Sequence, residues 1–535
     1  MPDMLKRIFR KKKKVAETDG NLVDNDAGSV AVEPSGDMEK EYIEVIPLGG
    51  QSEIGRMNSI AFIDGHDAVL VDYGLGVEAP SGEEFENDNQ LTTLEGRQCA
   101  DTSRLEGKNI RMVCITHVHT DHVGGLPVLY KQYPDIVVMT DKLNVGMIQE
   151  IFSAERINNL PRFTCDNIER VGNFRITKFP VNHSIEGACG FKIEVLRNEE
   201  VVWSAVHPGD FKTWIPHIDK KTGVVRNKNN EFFGALVRDR PLDVLFLDST
   251  NAEKSEKSGA LNISENRVAR EIGAIFDCEP GRVFVTYLAP NTTRGEEITK
   301  QANLRGRKVY VVGSAGGFLH SRGVAGWHEL IVKKCKDENE KEKFYLSPPP
   351  EGLKAKHQND PDTPPWPDNA VIICSGALAE PDSFLCRLAD GEIALPYREG
   401  DVLIDSQSII RKPMTLKRFG CMVEKWSDRF DRMYFAEPMP QLPQVMMYEG
   451  KILRSKFLHS PGHAAEEGKR TVFKELAHKG SADDGTEILI KPRRTIPVHG
   501  GEEIRKVCAA LVQEWGGEAI LLNDGEGYRV YLPSP

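Results

Sequence analysis

From Tyr42 onward the chain alternates between two hydrophobic rhythms. Short β-branched runs end in Asp, Ser, His or Gly: AVLVDYG, MVCITH, VLFLDST, VFVTYLAP, VYVVGS, VIICSG, VLIDSQ and TIPVHGG. Runs of this length and composition predict buried strands. Segments such as SENRVAREIGAIF and GEEIRKVCAALVQEW space their apolar residues three and four apart, which predicts amphipathic helices. Strands alternating with helices imply an α/β fold whose polar groups gather at strand ends. No internal repeat interrupts this order.

Two stretches break the rhythm. Residues 79–108 are acidic and polar, and residues 335–369 run from KCKDENEKEK into LSPPPEGLKAKHQNDPDTPPWPDN. Both read as surface insertions, solvated loops on composition. Residues 1–41 read as a disordered tail, basic in LKRIFRKKKK and then small, polar and acidic. The basic run has the chemistry to touch RNA or a membrane surface, although its composition favours a solvated tail.

Composition then bounds the setting. The chain has 535 residues, 40% hydrophobic and 28% charged, which suits a globular protein with two core-forming units. No apolar run approaches the roughly 20 residues that span a bilayer, and no secretory leader is recognisable, so a cytoplasmic protein is expected. Ten cysteines contain no CxxC pair, which argues against a zinc ribbon, a redox motif or a disulfide framework. The net charge of −11 discourages non-specific binding to polyanions. A nucleic-acid substrate would need a local basic surface or bound cations.

The strongest chemical signal is THVHTDHVGG, residues 116–125. By chance HxHxDH arises in roughly one chain in two thousand. After a strand, alternate residues of an extended segment point the same way, so His117 and His119 can grip one ion. Asp121 and His122 can then turn toward a second. Imidazole and carboxylate donors suit Zn²⁺, or Mn²⁺ in an oxygen-rich site. Gly124 and Gly125 allow the next helix to start close to the metals. A two-metal site needs further donors at strand ends. His183, Asp210 and His499 stand at such places in VNHSI, HPGDFK and TIPVHGG.

These segments together resemble the metallo-β-lactamase superfamily, within it the β-CASP nucleases, and within those ribonuclease J. The matching segments are IPLGGQSEIGRMNS, VLVDYGL (69–75), ITHVHTDHVGGLP (115–127), VNHSI (181–185), HPGDFK (207–212), LFLDSTNA (245–252), CSGALAEP (374–381), SPGHAAEE (460–467) and IPVHGGE (496–502). They occur in the family's order. The resemblance implies a metallo-β-lactamase αββα sandwich built from residues 42–250 and 464–535, with an α/β β-CASP domain inserted at 251–463. It implies that His117, His119 and His183 hold one divalent ion, that Asp121, His122 and His499 hold another, and that Asp210 bridges them, with Zn²⁺ expected and Mn²⁺ the alternative. Asp72 would orient the ligand loop. Asp248 and His463 match β-CASP motifs, and His463 would contact the scissile phosphate or assist the leaving oxygen. Asp121, Asp210, Asp248 and His463 are thus the expected catalytic residues. His207 reads as a structural neighbour of Asp210, and Cys189 and His320 match no functional position.

By the same resemblance the substrate is single-stranded RNA, cut by water that the paired ions activate. Candidate phosphate contacts are Arg411, Lys412, Lys417, Arg418, Arg493 and Arg494. The chain departs from the family in two places. The second β-CASP motif has a histidine in a segment like SNIHR, where this chain reads PNTTR with Thr293 in that place. A threonine carries no charge and shuttles no proton at neutral pH. Where the family has GHASQE the chain reads GHAAEE, so Ala465 lacks a hydroxyl and Glu466 adds negative charge. The resemblance implies exo- and/or endonucleolytic cleavage in RNA processing or decay, and these two changes favour loss of preference for 5′-monophosphate ends, with endonucleolytic cleavage or a different end preference in its place. The chain is also expected to lack the C-terminal domain of many ribonucleases J, which leaves a homo-oligomer an open arrangement. The other function classes are a metallohydrolase acting on DNA or on a small ester or phosphodiester, and a weakly active RNA-binding scaffold.

Overall fold

The computed structural model describes residues 41–51, 57–76, 99–212, 216–218, 225–227, 233–255, 263–336, 342–347, 368–377, 383–393, 395, 397–407, 413–437, 439, 441–460, 462–481 and 486–532, except for residue 394. Residues 1–40, most of the 79–108 and 335–369 stretches, and Arg411 and Lys412 lie outside the described residues.

Two sheets face each other. The first has seven strands in the order Tyr528–Tyr531, Tyr42–Gly49, Ser59–Asp64, Asp67–Val71, Asn109–Cys114, Val137–Met139 and Arg162–Thr164. The second has six, in the order Arg494–Val498, Val244–Asp248, Glu200–His207, Cys189–Arg197, Phe174–Pro180 and Ile168–Val171. Their inner faces share one core, in which Val45, Phe62, Val69 and Met112 meet Phe191, Ile193, Trp203 and Phe246. Phe62 and Phe246 pack edge to face at 5.4 Å across the two layers. Such a pair contributes about 1 kcal/mol beyond its buried area. Helices cover both outer faces. Leu126–Gln132 and Lys142–Ala154 pack on the first sheet, and Glu466–Glu475 and Glu502–Glu514 pack on the second. The expected αββα sandwich is present.

A third, eight-stranded sheet runs Glu342–Ser347, His328–Lys336, Val309–Val312, Val371–Cys374, Val283–Thr286, Val402–Asp405, Arg432–Ala436 and Ile452–Ser455. Its pairings are parallel except between the first two strands. Helices cover both faces, as parallel sheets require. Chain order places this layer between Asp248 and Arg494, whose strands are themselves neighbours in the second sheet, with Asp248 beside Val498. It is therefore an insertion into the sandwich, and the inserted α/β layer is also as expected.

One expectation changes. Residues 335–369 read as a solvated loop, yet Lys336 and Glu342–Ser347 belong to an antiparallel pair at the edge of the third sheet. The sequence there is rich in lysine, a composition edge strands use to discourage further pairing, so charge hid the strand. The 79–108 stretch likewise ends in structure. Cys99 bridges Leu75, and Ala100 and Leu105 are buried against the first sheet.

Candidate metal centre

Strand ends bring the donors together. Asp72 follows Asp67–Val71, which is paired in register with Asn109–Cys114, so Asp72 lies beside the segment that leads to His117. The next residues leave the strand, and Thr120–Val123 forms one helical turn carrying Asp121 and His122. Asp210 follows Glu200–His207, Asp248 ends its strand, and His499 follows Arg494–Val498. Asp72 and His499 both adopt left-handed backbone, with φ of 60° and 56°. Residues other than glycine occupy that region at a cost of order 1–3 kcal/mol, and they do so mainly where surrounding structure fixes a functional geometry.

The donor atoms converge on Asp210. Its Oδ2 lies 3.1 Å from His122 Nε2, 3.5 Å from His499 Nε2, 3.7 Å from His463 Nε2, 3.8 Å from His117 Nε2 and 4.0 Å from His183 Nε2. His119 Nδ1 lies 2.8 Å from His117 Nε2 and 3.2 Å from His183 Nε2. Asp121 Oδ2 is 3.2 Å from His499 Nε2. Three groups have donor atoms within one ion's reach: His117, His119, His183 and Asp210; Asp121, His122 and His499; and Asp210, Asp248, His463 and His499. Ligands about 2.1 Å from a tetrahedral zinc lie about 3.4 Å from one another, so these separations fit a divalent cation. The structure brings together all nine expected metal-ligating and catalytic residues.

The outer nitrogens explain the orientation. His122 donates from Nδ1 to Asp72 at 2.7 Å, His183 from Nδ1 to the Gly462 carbonyl at 2.7 Å, and His463 from Nδ1 to Asp248 at 2.9 Å. His499 Nδ1 meets the Thr250 hydroxyl at 2.7 Å, and that hydroxyl donates to the His499 carbonyl. His117 Nδ1 meets the Thr116 hydroxyl at 3.0 Å, and that hydroxyl donates to Asp72. Each bond occupies one ring nitrogen and leaves the other facing inward, as a metal-ligating histidine requires. His119 alone presents Nδ1.

Burial and charge set the protonation of the group. Burial holds His117 and His183 well below the usual imidazole range and His119 at about 4, so all three are neutral donors. Burial also opposes charge on His122 and His499, but neighbouring carboxylates, Asp210 first, outweigh it. His122 is raised well above its usual range, and His499 is pushed up to about 10. Burial raises the carboxyls, yet His122 and His499 hold Asp121 and Asp210 well below the usual range. For Asp248 the Lys469 ammonium is the largest lowering influence, ahead of His463.

Other expected residues fall differently. His207 takes a hydrogen bond from the Gly209 amide and stacks on Phe246, which makes it structural. Cys189 is a buried thiol beside the Thr116 carbonyl, and His320 is exposed on the helix Ser314–Ser321. Thr293 is the second residue of the helix Thr292–Asn303 and is half-buried. Arg493 lies 3.3 Å from Asp243, and Arg494 pairs with Glu518, so carboxylates already engage both. Lys417 is exposed on the helix Pro413–Ser427.

Several participants are not among the residues singled out from the sequence. Asn58 donates from its amide side chain to Asp121 at 3.2 Å and lies 3.3 Å from His122 Nε2. Thr116 and Thr250 brace imidazoles as described above. Lys469 is fully buried 3.7 Å from Asp248.

A family model described as the metallo-beta-lactamase superfamily matches residues 55–212. The chain is 29% identical over 373 residues to the Ribonuclease J of Mycolicibacterium smegmatis, covering 69% of this chain and 58% of that protein. It is 28% identical to the Ribonuclease J of Thermus thermophilus, covering 69% and 59%. For the Ribonuclease J of Synechocystis the identity is 24%, over 91% of this chain and 66% of that protein. The chain thus spans less than two thirds of the length of each of these relatives. A crystal structure of a protein of unknown function from Enterococcus faecalis V583 superposes with a TM-score of 0.51 at 15% identity, covering 91% of this chain and 100% of that one. That similarity bears on the fold alone.

Proposed function

Because the chain is a ribonuclease J-like member of the metallo-β-lactamase superfamily, we propose that it hydrolyses RNA phosphodiester bonds at a divalent-metal centre. The observation that carries this reading is the single Asp210 oxygen facing five inward imidazole nitrogens, with the Asp121 carboxylate alongside. We assign His117, His119 and His183 to one cation, Asp121, His122 and His499 to the other, and Asp210 to both. Zn²⁺ suits this nitrogen-rich set best, with Mn²⁺ the alternative. Two such cations, when bound, activate water and offset charge developing on a phosphodiester.

The chain's own residues then divide the work. Asp121 and Asp210 supply negative charge that retains the cations. Asp248 holds His463 through Nδ1, so its Nε2 faces the centre, where it can contact the scissile phosphate or protonate the leaving oxygen. The boundaries 42–250, 251–463 and 464–535 are supported by the placement of strands in the three sheets. Single-stranded RNA is the substrate in this reading. Among the described residues no helix is long and apolar enough to cross a membrane. A cytoplasmic setting is supported by nine described cysteines, all of them free thiols.

The test is direct. Purified protein with Zn²⁺ or Mn²⁺ should degrade single-stranded RNA, and the double variant Asp121→Ala, His122→Ala should not. Equal activity in that variant would end the reading, and DNA cut as fast as RNA would remove its ribonuclease specificity. End-labelled RNAs bearing 5′-triphosphate, 5′-monophosphate or 5′-hydroxyl ends report the mode of attack. Similar rates on all three are expected from Ala465 and Glu466.

A further inference from the structure

The helix Glu466–Glu475 buries a stripe against the second sheet: Ala465 just before it, then positions 469, 472 and 476. Val472 and Leu476 are apolar, whereas position 469 is a lysine with no exposed surface. Its Nζ makes no hydrogen bond among the described residues, lies 5.5 Å from the centre of the Phe211 ring and faces Asp248 Oδ2 at 3.7 Å. Burying an ammonium costs several kcal/mol, and an apolar residue of similar volume is commonly as stabilising as a buried ion pair. Packing therefore gives no reason for a lysine here. Its one charged partner does, because the same Asp248 oxygen accepts from His463 at 2.9 Å, and His463 points its other nitrogen at Asp210.

We propose that Lys469 is a positioning residue: its buried ammonium fixes the Asp248 carboxylate so that Asp248 holds His463 by Nδ1 and keeps Nε2 turned toward the reacting phosphate. The inference rests on the proposed phosphodiesterase reaction. Asp248 has two anchors besides His463. Its Oδ1 accepts from the Thr250 amide at 2.8 Å and lies 3.6 Å from His499 Nδ1. Among the described residues Lys469 is the one cation in this set that touches neither His463 nor Asp210, so its charge reaches His463 through Asp248.

The experiment compares Lys469→Met and Lys469→Arg with the unaltered full chain, each loaded with Zn²⁺, alone and combined with His463→Ala. Substrates are single-stranded RNA and bis(4-nitrophenyl) phosphate. The methionine variant should lose kcat roughly 10- to 100-fold at little change in KM and zinc content. The arginine variant should recover most of that loss. In the His463→Ala background the methionine substitution should change kcat less than about twofold, because its route of action is gone. Losses that multiply in the double variant overturn the proposal, as does a lower melting temperature with kcat intact. A second readout needs no turnover. In protein carrying ¹⁵N-labelled histidine, the His463 Nδ1 resonance, identified by its absence in His463→Ala, should shift in Lys469→Met. Coincident spectra overturn the proposal. If the unaltered protein cleaves neither substrate, the proposed function fails, while the spectrum still decides the role of Lys469.

Discussion

Asp72 joins the two halves of the centre: one carboxylate oxygen accepts from His122 Nδ1 at 2.7 Å while the other accepts from the Thr116 amide at 2.7 Å. Thr116 in turn meets His117 Nδ1. One side chain therefore orients a donor in each proposed cation group. Asp72→Asn keeps a residue that tolerates left-handed backbone but replaces one acceptor oxygen by an amide donor. Zinc affinity should fall roughly 10- to 100-fold, with a smaller effect on melting temperature. Competition with a chromophoric chelator measures it, and unchanged affinity would show that Asp72 serves only the turn.

Metal binding should release protons. Carboxylates push His499 up to about 10 and raise His122 well above its usual range, so both rings are protonated in the metal-free protein at neutral pH. A cation bound at Nε2 must displace those protons. Raising the pH removes them in advance, so affinity should rise with pH, by up to about tenfold per unit for each proton released. Calorimetric titration in buffers of different ionisation heat counts the protons. Heats independent of buffer would contradict the assignment.

Much of this centre was legible in the sequence because its donors end strands, and strand ends are marked by a switch from β-branched to polar residues. His183, Asp210 and His499 stand out that way, whereas Asp72 and Asp248, which also follow or end strands, are assigned through the resemblance to the family's motifs. HxHxDH needed no fold at all. What the sequence concealed depends on approach in three dimensions. Asp248 and His499 are neighbours because strands about 250 residues apart pair in parallel, with a whole sheet between them in the chain. Asn58, Thr116 and Thr250 are ordinary polar residues until tertiary structure aims them at an imidazole. Lys469 did leave a trace. In AAEEGKRTVFKEL its neighbours are charged, which disguises it as a surface residue, but the spacing 465, 469, 472, 476 sets it in the buried stripe.

Gly74 is where the loops lock. A Cβ there would fall 1.8 Å from the Asp121 carbonyl oxygen and 2.8 Å from the Asn58 nitrogen, both backbone atoms. Asn58 donates its amide to that same Asp121 carbonyl at 2.7 Å, and the Gly74 amide donates to the Asn58 carbonyl at 3.0 Å. No side-chain movement relieves the clash, so Gly74→Ala should destabilise by about 3 kcal/mol or more and lower zinc content in whatever folds. Gly65→Ala is the control. It has φ of +61° and open space around its Cβ position, so only backbone strain of about 1–2 kcal/mol applies. Equal melting temperatures for the two variants would contradict the close-approach argument.

Ala465 occupies the N-cap of the helix Glu466–Glu475, with extended backbone and no side-chain capping bond. An extended residue at that position is suited to a hydroxyl that accepts from an amide of the first turn, at Glu467 or Gly468. Ala465→Ser should therefore stabilise the helix by about 1 kcal/mol, and exchange of those two amides should slow about fivefold if they open locally. The opposing effect is room, since Ala465 has no exposed surface and the added oxygen must fit among its neighbours. Hydrogen exchange resolves the sign. Slower exchange makes the alanine an omitted cap, and faster exchange makes it a residue selected for volume. The same variant, assayed on RNAs with 5′-monophosphate and 5′-hydroxyl ends, should gain preference for the monophosphate if the missing hydroxyl is what weakens end recognition. An unchanged ratio would shift that role to Glu466.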